Sequence, residues 1–203
     1  MDEVKEKSIA QKNQLLTIAL VPLGIGFNLG IGTIVTMLKL PVYVDAVGTI
    51  IVTLLVGWKA GALTGIASFL LGGLITNPVL PFFSGTQLFI ALYAYFIGKR
   101  GGFRTLWLTI ISGIGLGVVA GIVSAPIITY LFGGITGSGP SLVVAYLLST
   151  GKGLIKSVLL SGLASEPLDK TIQCLLATWL LRGVPKTVLK NFDNDILRKN
   201  KFI

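Results

Sequence analysis

The stretch SGLASEPLDKTIQCL, residues 161–175, lies inside a long apolar segment yet carries Glu166, Pro167, Asp169 and Lys170 within five positions. How it is read decides how often the chain crosses a membrane. On a helix, positions 166, 169, 170 and 173 are spaced i, i+3, i+4 and i+7, so Glu166, Asp169, Lys170 and Gln173 form one polar stripe on one face. The segment 154–182 is then a single span. A rise of about 1.5 Å per residue from Leu154 places the stripe near or inward of the bilayer centre. The rival reading takes Ser165 as the N-cap of a new helix and makes 141–164 a span of its own. It puts the basic residues after Leu181 on the wrong side of the charge rule below, and is rejected.

Working outward, the 203 residues are 53% hydrophobic and 12% charged, with a mean hydropathy of +0.85. Soluble domains usually carry about 25% charged residues. Apolar runs recur at 15–38, 45–57, 60–75, 86–98, 105–132 and 154–182. The expectation is an all-α membrane protein: a charged segment 1–14, a six-helix transmembrane bundle 15–182 and a basic tail 183–203. A perpendicular helix needs about 20 apolar residues to cross. The runs 45–57 and 86–98 therefore borrow flanking residues or sit inside the protein.

Basic residues set the orientation. Thirteen of the 17 Lys and Arg fall before the first run, between the second and third, between the fourth and fifth, and from Arg182 onward. The opposite loops hold only Lys39 and Lys152, while Lys156 and Lys170 lie within the last span. The positive-inside rule then places both termini in the cytoplasm of a multi-pass cell-membrane protein. The net charge of +9 sits at segment ends and not along one face, which argues against nucleic acid as a partner. The start, MDEVKEKSIAQKNQ, precedes an apolar run with no small-residue cleavage site, so that run is expected to be retained.

Catalytic signatures are poor. With no histidine and one cysteine, Cys174, the chain has neither the commonest metal ligand nor the usual general base. GPSL at 139–142 formally opens an intramembrane serine protease motif, but its histidine is missing. Gly151-Lys152-Gly153 lacks the spacing of a nucleotide-binding loop. The expectation is no enzyme, no cofactor and no metal, so uphill transport draws on partner subunits or an ion gradient.

The stripe is then the chemistry to explain, because a charge at that depth costs at least about 2.5 kcal/mol. Glu166 and Lys170 are expected to pair at i, i+4, leaving Asp169 to meet a donor from another helix, a proton or a ligand. Pro167 cannot donate to the carbonyl of Leu163 and is expected to kink or open the helix there. Two readings stay open: a polar floor under a binding cavity, or an ion pair that braces the bundle. The uncharged outer loops 76–86 and 133–151 fold back as a lid in this reading, or the second lies in the membrane interface. Asn77, Gln87 and Tyr146 are expected to close the cavity from above. Small residues repeat every four positions, as in Gly26/Gly30, Gly61/Gly65 and Gly113/Gly117/Gly121. Such ridges allow close helix approach, inside the bundle or toward a membrane partner.

The stretch LPVYVDAVGTIIVTLLVGWKAGALTGIASFLLGGLI, residues 40–75, resembles the second and third spans of the substrate-binding S component of energy-coupling factor (ECF) transporters. It places an acidic residue just after an aromatic (Tyr43, Asp45), then an apolar span, a Gly-Trp turn and a Gly/Ala-rich helix. GGITGSGPSLVVAYLLSTGKGL and SEPLDK are similar to one subgroup. The resemblance implies a bundle in the bacterial plasma membrane that captures a vitamin or related micronutrient from outside. It also implies a membrane coupling subunit and two cytoplasmic ATPases as partners, docked through small residues of the first three spans, here Gly26, Gly30, Gly61 and Gly65. Ligand contacts in outer loops and later spans fit Asn77, Gln87, Tyr146, Glu166, Asp169 and Lys170. Cobalamin stands first among the ligands because an extended outer loop gives room, with a pyridoxine-type vitamin or a nucleoside next. The competing class is a self-contained ion-coupled carrier or channel in which Glu166 and Asp169 relay protons or cations. An intramembrane enzyme comes third.

Overall fold

A computed structural model describes the backbone of residues 2–203 except 39, 41 and 193, and the side chains of 15, 18–38, 40, 42–192 and 194–203. Nine α-helices are seen among the described residues: α1 (Asp2–Met37), α2 (Val47–Val56), α3 (Trp58–Ile75), α4 (Ser84–Lys99), α5 (Leu106–Phe132), α6 (Gly139–Ser149), α7 (Leu154–Gly183), α8 (Lys186–Leu189) and α9 (Asp195–Lys199). A 3₁₀ turn, Leu80–Phe83, precedes α4. The expected segment 1–14 continues α1 without a break from Asp2, while Met1 and the lysine side chains of that segment lie outside the described residues.

Four helical stretches are long and apolar enough to cross a membrane: Ile18–Met37, Trp58–Ile75, Leu80–Lys99 and Leu106–Phe132. The short fourth run of the sequence therefore does borrow flanking residues, through the 3₁₀ turn. At 30 residues, α7 is about 45 Å long, and only its charges set it apart from the other four. Helix α2 spans just 10 residues, or about 15 Å, half of a hydrocarbon layer of roughly 30 Å. Its answer is burial: eight of its residues, among them Val47, Ile50, Val52 and Leu54, are covered. It packs against α1, α3, α4 and α7. A helix apolar on all sides belongs in a core, and this one is the hub of the bundle.

Glycine ridges set how closely the helices approach. On α5, Gly113, Gly117 and Gly121 face α7 at Thr171, Pro167 and Gly162; a Cβ at Gly117 would fall on the backbone of Glu166 and Pro167. Helix α7 runs through Pro167 without a break in its helical assignment, packed there against Gly117 of α5. The proline ring is clamped against a partner helix, and the Ser165 hydroxyl donates back to the Ser161 carbonyl at 2.9 Å. Gly61 and Gly65 are also spent internally: a Cβ at Gly61 would strike Thr53, and one at Gly65 would meet Gln87 and Thr49. The expectation that these two dock a partner is thereby corrected. Gly26 and Gly30, by contrast, have open space where a Cβ would stand.

The segment 183–203 is not a loose tail. Leu189, Ile196, Leu197 and Phe202 are buried together with Phe103 beneath the ends of α2 and α4. The Asn194 amide donates to the carbonyls of Leu54 and Leu55 at 2.9 and 2.7 Å, covering acceptors that the end of α2 leaves over. The Asn200 side chain accepts from the Phe103 amide at 2.7 Å and donates to the Gly98 carbonyl at 2.7 Å. One end of the bundle thus gathers the α2–α3 and α4–α5 junctions and the end of α7, where the basic residues concentrate. The other end gathers the segments 42–46, 76–83 and 133–153.

Candidate functional site

Because α2 is short, the chain between α1 and α2 must dip into the bundle, and its backbone N–H groups leave water. Irregular backbone at such depth persists only where protein supplies partners. The α7 stripe supplies them. Asp169 Oδ1 accepts from the backbone N–H of Tyr43 and of Val44, each at 2.9 Å. Gln173 Oε1 accepts from Ala46 N–H at 3.0 Å. Val44 holds φ +50°, the left-handed region that β-branched residues avoid. The two bonds to one carboxylate oxygen hold the chain in that turn. Helix α2 has no N-cap side chain of its own. Asn28 of α1 acts instead, its Oδ1 accepting from Gly48 N–H at 2.7 Å and Thr49 N–H at 3.4 Å.

The charges follow from the same contacts. Asp169 Oδ2 accepts from Lys170 Nζ at 2.6 Å and Gln173 Nε2 at 2.7 Å, so the carboxylate receives four donors. Lys170 Nζ also reaches Asp45 Oδ1 at 3.3 Å and Glu166 Oε2 at 3.6 Å. The expected Glu166–Lys170 pair is present, though long at 3.6 Å, while Asp169 finds its donors in the Tyr43 and Val44 backbone and is saturated. Glu166 Oε2 is buried with no hydrogen-bond donor among the described residues. Side-chain exposure rises from 1% at Asp169 and 4% at Lys170 to 11% at Glu166 and 19% at Asp45. The approachable side of the cluster is therefore the side of Glu166 and Asp45.

The segment 133–153 closes over the same place. The Tyr43 hydroxyl and Ser138 Oγ lie 3.1 Å apart, and Ser138 joins Thr136 and Ser141 in a chain of hydroxyls. Ser161 of α7 donates to the Pro140 carbonyl at 2.9 Å, which ties the start of α6 to α7. The Tyr43 ring has Lys170 Nζ 5.9 Å from its centroid, within cation–π range. The loop before α2, the start of α6 and the last long helix thus converge on one buried charged cluster.

The other expected site residues lie elsewhere. Gln87 is fully buried in a second polar cluster, where its Oε1 accepts from Thr49 Oγ1 at 2.9 Å. Asn28 donates there to Thr49 and Ser68. Asn77 accepts from the Val79 amide within its own turn, and Tyr146 is exposed on α6. The three do not assemble above the stripe, which corrects that expectation. A separate open groove of about 850 Å³ lies between the end of α5 and the start of α7, along Thr129, Tyr130, Leu154 and Leu159. Its apolar walls suit lipid tails better than a polar solute.

Two anchors escaped the sequence reading. Asn28 had a signal: an amide with no polar neighbour in a 20-residue apolar span (Ile18–Met37) needs a buried partner. Ser138, inside a glycine-rich turn, carried none. No family model, curated protein or solved structure matches the chain.

Proposed function

We propose that this chain is the substrate-binding membrane subunit, or S component, of an ECF-type importer, capturing a vitamin or related micronutrient for an ATPase-powered coupling module. The observation that carries the reading is the convergence of the loop 38–46, the segment 133–153 and α7 on one charged cluster. The cluster lies about midway along α7, and the loop and the segment reach it from the end away from the basic residues. In this reading the chain spans the membrane six times with both termini cytoplasmic, the depth that α2 lacks being filled by the loop 38–46. The folded cap of α8 and α9 then faces the cytoplasm, and Gly26 and Gly30 present an open face of α1 to the coupling subunit. The cluster sits under backbone and helix, and this favours a small ligand of the pyridoxine type over cobalamin.

A self-contained ion-coupled carrier is the second reading, favoured by three carboxylates around a single ammonium. Affinity capture of the tagged chain, co-expressed with a coupling subunit and two ATPases, tests between them. Recovery of all four, with ATP-driven uptake in liposomes only by the assembled complex, is the expected outcome. Uptake driven by an ion gradient through the purified single chain would refute the subunit reading.

A further inference from the structure

Among the described residues, Lys170 is the one cation paired with Asp45, Glu166 and Asp169. With all four groups ionised, the cluster holds two more negative charges than positive ones. Only Asp169 is fully hydrogen-bonded. Glu166 is 8% exposed as a residue, and its Oε2 lacks a donor, because Lys170 at 3.6 Å stands beyond hydrogen-bond length. A carboxylate placed this way is costly unless a cation or a proton joins it. The carboxylates surround an ammonium and not a vacant point, and no metal-holding group of His, Cys, Asp or Glu is found among the described residues. An aromatic face, Tyr43, borders the cluster.

We infer that the cluster receives the positively charged part of a small organic ligand, an ammonium or a protonated nitrogen ring. Glu166 and Asp45 are its anionic contacts, and the Tyr43 ring is its flank. The inference rests on the substrate-binding reading above and names the class of substrate. Asp169 stays outside the contact set because its oxygens already receive four donors. Lys170 holds the empty site together and sets the entering cation opposite Glu166, the carboxylate it serves least.

The test uses the purified full chain in detergent, with benzylammonium, benzyl alcohol and phenylacetate as ring-matched probes at constant ionic strength. Benzylammonium is expected to raise the unfolding midpoint saturably by about 2 °C or more, and the other two to leave it unchanged. Glu166→Gln should abolish that shift and Asp45→Asn should at least halve it. Absence of a benzylammonium shift, an equal shift with phenylacetate, or a shift unaltered in both variants overturns the inference. If either variant lacks a cooperative transition, the wild-type titration decides: a saturable shift supports the site and a linear one refutes it. Capture of the coupling and ATPase subunits is read on the same preparations. Intact capture without a benzylammonium shift overturns this inference alone, and a shift without capture overturns the subunit reading alone.

Discussion

Asp169→Asn changes one atom type and keeps the shape, so it isolates what the carboxylate does. The native oxygens accept two backbone N–H bonds from the loop and two from Lys170 and Gln173. An asparagine offers one oxygen and one NH₂. If its oxygen serves Tyr43 and Val44, its NH₂ is set against two other donors. Gln173 cannot turn round to help, because its own oxygen holds Ala46 N–H at 3.0 Å. Two charge-assisted bonds are lost at about 1.5–3 kcal/mol each, with donors left buried. A net loss of about 3–5 kcal/mol is expected, or roughly 10 °C in the unfolding midpoint for a chain of this size. Glu166→Gln removes the carboxylate with the longest of the three contacts to Lys170, 3.6 Å, and should shift the midpoint by less than about 3 °C, in either direction. Thermal unfolding in detergent reads both variants, and hydrogen exchange at residues 43 and 44 reads the loop directly. The account of Asp169 as the latch of the loop fails if its asparagine variant unfolds within about 2 °C of wild type with those amides still protected.

Lys170→Met leaves three carboxylates without their common cation and should cost about 3–5 kcal/mol; adding Glu166→Gln and Asp45→Asn should recover part of it, measured as unfolding midpoints. Gly117→Leu drives a side chain into the α7 backbone at Pro167 and should abolish a cooperative transition. Gly30→Leu, in open space, should leave the isolated chain as stable as wild type and weaken its capture of the coupling subunit. Asn28→Ala removes the cap that α2 takes from α1 and should lower stability by about 1–2 kcal/mol.

Much of the fold is legible in the sequence because lipid leaves few choices. Apolar runs bounded by proline, glycine and basic clusters gave the helices at 60–75 and 105–132 almost to the residue. The i, i+3, i+4, i+7 spacing put Glu166, Asp169, Lys170 and Gln173 on one buried face, where they are found. The spacing could not say what that face meets. Asp169 was expected to need a donor from another helix, a proton or a ligand, because its nearest sequence cation was assigned to Glu166. In the fold, a loop 125 positions away in the chain brings two backbone donors to it. Backbone donors leave no mark in a sequence, since every residue but proline has one. The packing of Gly61 and Gly65 was hidden for a related reason: a small-residue ridge looks the same whether it faces Thr53 and Gln87 or a partner.

The short helix α2 links these corrections. A 10-residue helix in a bundle built to cross lipid needs its missing depth filled by loop, and loop backbone needs buried acceptors. Asn28 serves the first turn of α2, Gln173 serves Ala46 just before it, and Asp169 serves Tyr43 and Val44. The polar cost of the stripe is thus offset by the backbone it satisfies, and Lys170 is present to keep Asp169 ionised. Glu166 falls outside this account: among the described residues it accepts from no loop N–H, its ion pair to Lys170 is long at 3.6 Å, and removing it should cost the fold little. A buried carboxylate that the fold does not need is the feature that separates a binding site from a brace. The decisive comparison is therefore the response of Glu166→Gln and Asp169→Asn to benzylammonium. Loss of the shift at Glu166 with little loss of stability, set against loss of stability at Asp169, assigns the two carboxylates to different tasks. If both variants lose stability equally and neither loses a shift, the whole stripe is a brace.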